Sequence, residues 1–263
     1  MYILNPADIL RIAKSRNIPR SDITVPSSII LTFSNTVLEE LTKTYNLQEW
    51  KWKGEMLSPY SSSQKSVKGK IEYDLAVFIP PMGASPLAAF TEELIYFGAK
   101  NIILVCASWG LGENYLLKGQ LHLPSFAIGI DGTSVHYENK NWRIENEPRA
   151  FNALTTTLNK IGTNWKEGGV GACEAIYRIT PDSMDEFRKK GCISMENGEV
   201  ATLYSIAKAK KIPIGALLQP YIDLEKGWNI SYLDKEYIKT CKVQAHVAVE
   251  TLKILHQHEN LME

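Results

Sequence analysis

Two glutamates three residues apart, Glu196 and Glu199, open a stretch with helical spacing. That interval places both carboxyls on one helix face. There they can accept hydrogen bonds from a bound ligand, or stand as ordinary surface acids. The four cysteines, Cys106, Cys173, Cys192 and Cys241, form no CxxC pair, so no zinc site is expected. His246, His256 and His258, spaced ten and two apart, make no metal face; His122 and His136 fall in or near loops. The sequence has no GxSxG elbow, no P-loop and no GxGxxG opening a helix. The glycine-rich run at 168–173 lacks that spacing and reads as a strand end with a tight turn. Neither a metal nor a cofactor is expected.

The elements that would hold these groups alternate between apolar runs and helical patterns. Strands are predicted at 28–33, 74–80, 101–107, 125–130 and 213–218. Helices are predicted at 35–45, 85–97, 148–161, 196–210 and 234–257, with Ser34 or Asn35 capping the first. Ser85 reads as the cap of the second, with Pro86 at its first position and Gly98 ending it. Strand, helix and strand over 74–107 make a right-handed βαβ unit. The whole reads as one α/β domain over 1–263, a three-layer fold with a central mixed sheet flanked by helices. Ligands in such sheets sit where loops converge at strand ends, and Gly83, Gly110, Gly132 and Gly171 all fall near predicted ends. The segment 58–70 reads as a loop, and Lys51–Trp52–Lys53 as an amphipathic strand edge.

Lys plus Arg equals Asp plus Glu, 29 each. The chain as a whole thus offers no electrostatic case for nucleic acid or an anionic membrane. No run approaches the ~20 apolar residues that span a bilayer. No signal sequence is recognised at the start. A reduced, cytoplasmic protein is the expectation.

Four segments, taken in order, resemble the purine nucleoside and uridine phosphorylase family. Residues 81–105 resemble its glycine turn, its EEL-containing helix and the strand after it. Residues 129–137, GIDGTSVHY, resemble its DGTS-and-aromatic stretch. Residues 171–177, GACEAIY, resemble its S-x-D-x-F/Y segment, and residues 195–207 its E-M-E-x-A-A-L helix. The resemblance implies the phosphorylase-like fold, cleavage of a nucleoside's N-glycosidic bond with phosphate as nucleophile, and no metal. It also implies a homo-oligomer (dimer, trimer or hexamer) in which a neighbouring subunit completes each pocket. Partnership with an active relative is an alternative.

Within that frame Glu199 falls at the glutamate that accepts hydrogen bonds from the ribose hydroxyls, with Glu196 a rival. Met82, Gly83 and Asn197 fall beside it. Gly198 replaces a methionine that packs on the sugar. The phosphate site departs from the family. Phe33 stands for a glycine, Val37 and Leu104 for the two arginines, and Cys106, Ala107 and Trp109 for a glycine, a hydroxyl residue and a glycine. Anion recognition needs cationic forks and close backbone N–H groups; Ser108 could compensate, as could Lys51–Trp52–Lys53 in a neighbouring subunit's site. At the base end Tyr177 could stack, while Arg178 and Asp223 lie near, but not at, the family's base-contacting positions. The expected ligands are a nucleoside and possibly phosphate. A non-catalytic nucleoside-binding or structural subunit is the alternative.

Overall fold

The computed structural model describes residues 3–137, 142–228 and 231–260. The helices α1 (Ala7–Ser15) and α2 (Arg20–Ile23) lead into β1 (Ser28–Thr32) and α3 (Asn35–Thr44). There follow β2 (Gln48–Glu49), β3 (Lys65–Lys70), β4 (Asp74–Ile79), α4 (Ala84–Tyr96) and β5 (Asn101–Gly110). The second half runs β6 (Leu121–Ile128), β7 (Arg143–Glu145), α5 (Pro148–Ile161), β8 (Trp165–Ala172), α6 (Pro181–Lys189), β9 (Cys192–Glu196), α7 (Glu199–Lys210), β10 (Ile214–Asp223) and α8 (Lys235–Asn260).

These strands form one mixed sheet in the order β10-β6-β8-β9-β5-β1-β4-β3-β2. A further pairing of β10 with β5 closes five of them, β5, β10, β6, β8 and β9, into a ring. The strands β4, β1, β5 and β10 run parallel, so their C-terminal ends share one edge, where a ligand site is expected.

Alternation along the strands sorts the core into two faces. Ile29 and Leu31 of β1, Phe78 of β4 and Leu104 of β5 pack with α4 and α7. Ile30, Val77, Ile103 and Val105 pack with α3, α5 and α8. The result is three layers around a buried sheet. At the strand ends a third cluster joins Trp109, Met195 and Ile222 to Phe126 and to Met184 and Phe187 of α6.

Several boundaries differ from the sequence reading. Gly83, not Ser85, caps α4. Segment 58–70 holds β3, which pairs antiparallel with β4. The predicted helix 196–210 begins at Glu199 because 192–196 forms β9, a buried strand too short to show a period. The run at 168–173 belongs largely to β8 rather than to a turn. His122 lies within β6, fully buried, with Nδ1 2.9 Å from Ser194 Oγ and Nε2 3.1 Å from the Gly168 carbonyl. Trp52 is no edge residue: it is fully buried against Phe78, Phe90 and Phe97, and its Nε1 donates to the Ile23 carbonyl at 2.8 Å. No helix among the described residues is long and apolar enough to cross a membrane.

Candidate functional site

A cavity of about 370 Å³ opens at the shared C-terminal edge. Phe33 follows β1 into it, and Ser34, Asn35 and Thr36 bring the start of α3. Met82 follows β4, Cys106, Ala107 and Trp109 end β5, and Tyr221 ends β10. The turn from β9 to α7 supplies Glu196, Asn197 and Glu199, the approach to α8 adds Tyr232, and the first turn of α8 adds Tyr237.

Glu199 is 3% exposed. Its Oε1 accepts the Gly83 N–H at 3.0 Å. Gly83 sits at φ +103°, where a side chain would be strained, so glycine is what lets the chain turn this amide onto the carboxyl. Glu196 Oε2 accepts the N–H of Glu199 at 2.7 Å and that of Val200 at 3.4 Å. It thereby satisfies donors that the first turn of α7 would otherwise leave unpaired. Burial first, then the adjoining Glu199 carboxyl, pushes Glu196 well above the usual carboxylate range.

Gly198 precedes α7 at φ +94°, and a Cβ there would lie 3.0 Å from Asp131 Cβ. Asp131 is itself locked: its Oδ1 accepts the N–H groups of Thr133 and Ser134 at 2.9 and 2.6 Å, and its Oδ2 the Ser134 hydroxyl at 2.8 Å. The DGTS stretch is therefore a folded brace for the start of α7.

The opposite wall is aromatic. Trp109 Nε1 donates to the Tyr221 hydroxyl at 3.0 Å. Tyr221 stacks on Tyr232 with centroids 4.7 Å apart, and Tyr237 meets Tyr232 edge-on. Trp228 and Tyr177 carry the aromatic surface outward from Tyr221. Among the described residues lining the cavity, none is Lys, Arg or His. The exposed Lys65 donates to Asn35 Oδ1 at 2.7 Å. Among the described residues no group of three or more His, Cys, Asp or Glu could hold a metal ion.

A family model described as the phosphorylase superfamily matches residues 28–231. The chain belongs to that superfamily. No curated protein sequence matches it. Among solved structures, purine nucleoside phosphorylase from Toxoplasma gondii in complex with immucillin-H superposes with a TM-score of 0.73 at 17% identity, over 88% of this chain and 91% of that one. AMP nucleosidase from Bacteroides thetaiotaomicron superposes with a TM-score of 0.71 at 19% identity, over 90% and 91%. Uridine phosphorylase from Vibrio fischeri gives 0.73 at 15% identity, over 88% and 93%. At these identities the likeness is one of fold.

Within this superfamily member, Glu199, Gly83, Met82 and Asn197 come together, although 82 and 199 are far apart in the chain. Four other expected residues do not join them. Ser108 is buried, and its neighbours Ala107 and Trp109 line the cavity while it does not. Tyr177 is 87% exposed, and Arg178 beside it is exposed too; both sit on a short turn after β8. Asp223 ends β10 with Oδ1 accepting the Glu225 N–H at 3.0 Å, off the cavity. Val37 and Leu104, at the arginine positions, are fully buried in the core.

Sequence reasoning missed Tyr221, Tyr232 and Tyr237 as lining residues. Period-2 spacing along β10 could have flagged Tyr221. Nothing local marks Tyr232 or Tyr237, which only the docking of α8 brings to the edge. Asn35 and Thr36 were legible only as helix-start residues.

Proposed function

We propose that the protein cleaves the N-glycosidic bond of a nucleoside, with water rather than phosphate as the nucleophile. The observation that carries this reading is the buried Glu199 carboxyl, fixed by the Gly83 amide in a cavity with no cationic lining among the described residues. A carboxylate held there accepts hydrogen bonds from ribose hydroxyls. Those bonds strengthen as the sugar takes on positive, oxocarbenium character and so favour the transition state over the ground state. Phosphate would have to enter without a guanidinium or ammonium to bind it, forfeiting charge-assisted bonds of roughly 1.5–3 kcal/mol each. The phosphorylases and the nucleosidase among the fold relatives support the reaction class without choosing the nucleophile.

The aromatic crowding of Phe33 and Trp109 favours a second reading, a nucleoside-binding protein without turnover. The exposed rings of Tyr177 and Trp228 at the outer margin support a homo-oligomer in which a neighbour covers that margin; light scattering reads its mass, and a monomer overturns it. Incubation with a nucleoside panel, with and without phosphate, separates the two readings. Free base at a rate indifferent to phosphate supports hydrolysis. Thermal stabilisation by nucleosides with no base released supports binding alone.

A further inference from the structure

A nucleoside's base can depart in two ways that differ in charge. A neutral heterocycle takes the electron pair of the broken C1′–N bond and requires a proton as it leaves. A heterocycle quaternised at nitrogen takes the same pair, becomes neutral and requires none. The cavity is poorly equipped for the first course. The carboxyl of Glu196 is anchored on the N–H groups of Glu199 and Val200 at the start of α7. Burial holds the phenols of Tyr232 and Tyr237 above their ordinary range, which makes them weaker acids. The acid at the end of β10, Asp223, is turned to the Glu225 amide and lies off the cavity.

The same walls suit positive charge. The rings of Trp109, Tyr221 and Tyr232 line the cavity, the buried Glu199 carboxyl lines the wall opposite them, and the described lining residues include no cation. Ring faces attract cations, Trp most strongly. Two features oppose this. The N-terminal end of α3 reaches the cavity at Asn35, although the Val37 N–H is already taken by Ser34 Oγ at 3.3 Å. Lys65 holds the Asn35 side chain, but in an exposed position where water and salt screen its charge.

We propose that the cavity selects nucleosides whose heterocycle carries a positive charge, such as an N-ribosylpyridinium or an N7-alkylated purine nucleoside. This rests on the glycosidic-cleavage reading for the placement of the ribose on Glu199. In the reaction the C1′–N electron pair passes to the ring nitrogen and cancels its charge. The oxygen of a water molecule bonds to C1′ and releases one proton to solvent, leaving neutral base and free ribose.

The test uses the full chain and two matched pairs. One pair is nicotinamide riboside and its uncharged 1,4-dihydro form. The other is 7-methylguanosine and guanosine, in mildly acidic buffer. Calorimetric titration reads affinity and chromatography reads released base. The charged member of each pair should bind at least about tenfold more tightly and release base faster. Tyr232→Leu, at a half-exposed ring, should cut that preference severalfold. Equal affinities within the pairs, or faster release from the uncharged member, overturn the charge preference and leave glycosidic cleavage standing. A charge preference with no base released from any of the four upholds the selectivity and removes the cleavage reading. Failure of all four to bind overturns both.

Discussion

On the α7 wall of the cavity the carboxyls are pinned by backbone: Gly83 donates to Glu199, and Glu199 and Val200 donate to Glu196. On the facing wall, built from β5, β10 and the approach to α8, Trp109, Tyr221 and Tyr232 contact one another through one hydrogen bond and ring stacking. The first wall fixes direction, because hydrogen-bond geometry is narrow. The second offers area, because stacking tolerates many partners. The proposed cleavage reaction would use the first wall for the sugar and the second for the heterocycle. The positions where the family carries phosphate arginines hold Val37 and Leu104, both absorbed into the core.

The contrast can be broken most sharply at Glu199. Glu199→Gln keeps the shape and removes the charge, so base release should fall roughly 10–100-fold, consistent with the loss of one or two charge-assisted hydrogen bonds. Activity within twofold of the parent would remove the α7 wall from the mechanism.

Glu196 gives the next largest effect, read in stability. Its folded-state pKa is raised, so the folded protein holds this proton more tightly than the unfolded chain does. That contribution is complete below the ordinary carboxylate pKa and is lost as pH rises toward the raised value. Glu196→Gln mimics the protonated acid and should flatten this loss with rising pH. Glu196→Ala should cost roughly 1–3 kcal/mol by leaving buried N–H groups without an acceptor. Denaturant titrations across pH compare the three proteins.

His122 supplies a control away from both walls, with the opposite sign. Burial lowers its pKa from 6.5 to about 4. Its contribution is present above pH 6.5 and is lost as pH falls toward 4, amounting to about 3 kcal/mol. His122→Gln should remove that acid sensitivity and leave the Glu196 trend with rising pH in place.

Gly83→Ala forces a side chain into φ +103° and should cost about 1–3 kcal/mol, with weaker nucleoside binding as the amide turns from Glu199. The smallest effect is on the facing wall: tens of millimolar phosphate should leave both melting temperature and rate unchanged. A clear rise in either would place an anion site where the described lining shows no cation.

Much of the architecture was legible because its signals are local. The parallel strands β1, β4, β5 and β10 read as apolar runs, and α3 and α5 carry clear helical periodicity. The α7 wall was legible through Glu199 and the glycine turn at 83. What escaped depended on distance in the chain. β9 is five residues long and fully buried, with no alternation to read. β3 carries Ser, Lys and Gly, which spell loop, and only pairing with β4 makes it a strand. Tyr232 and Tyr237 reach the site because α8 docks against β5 and β10, not because of any spacing. Tyr177 and Arg178 were placed near the base by resemblance, yet their turn carries them to the outer margin.

A crystal structure with a nucleoside bound tests the division of labour most directly. The account expects the ribose 2′- and 3′-hydroxyls within hydrogen-bond distance of the Glu199 carboxyl, with the heterocycle against Tyr221 and Trp109. A nucleoside bound with its sugar away from Glu199, or excluded from this cavity altogether, contradicts it.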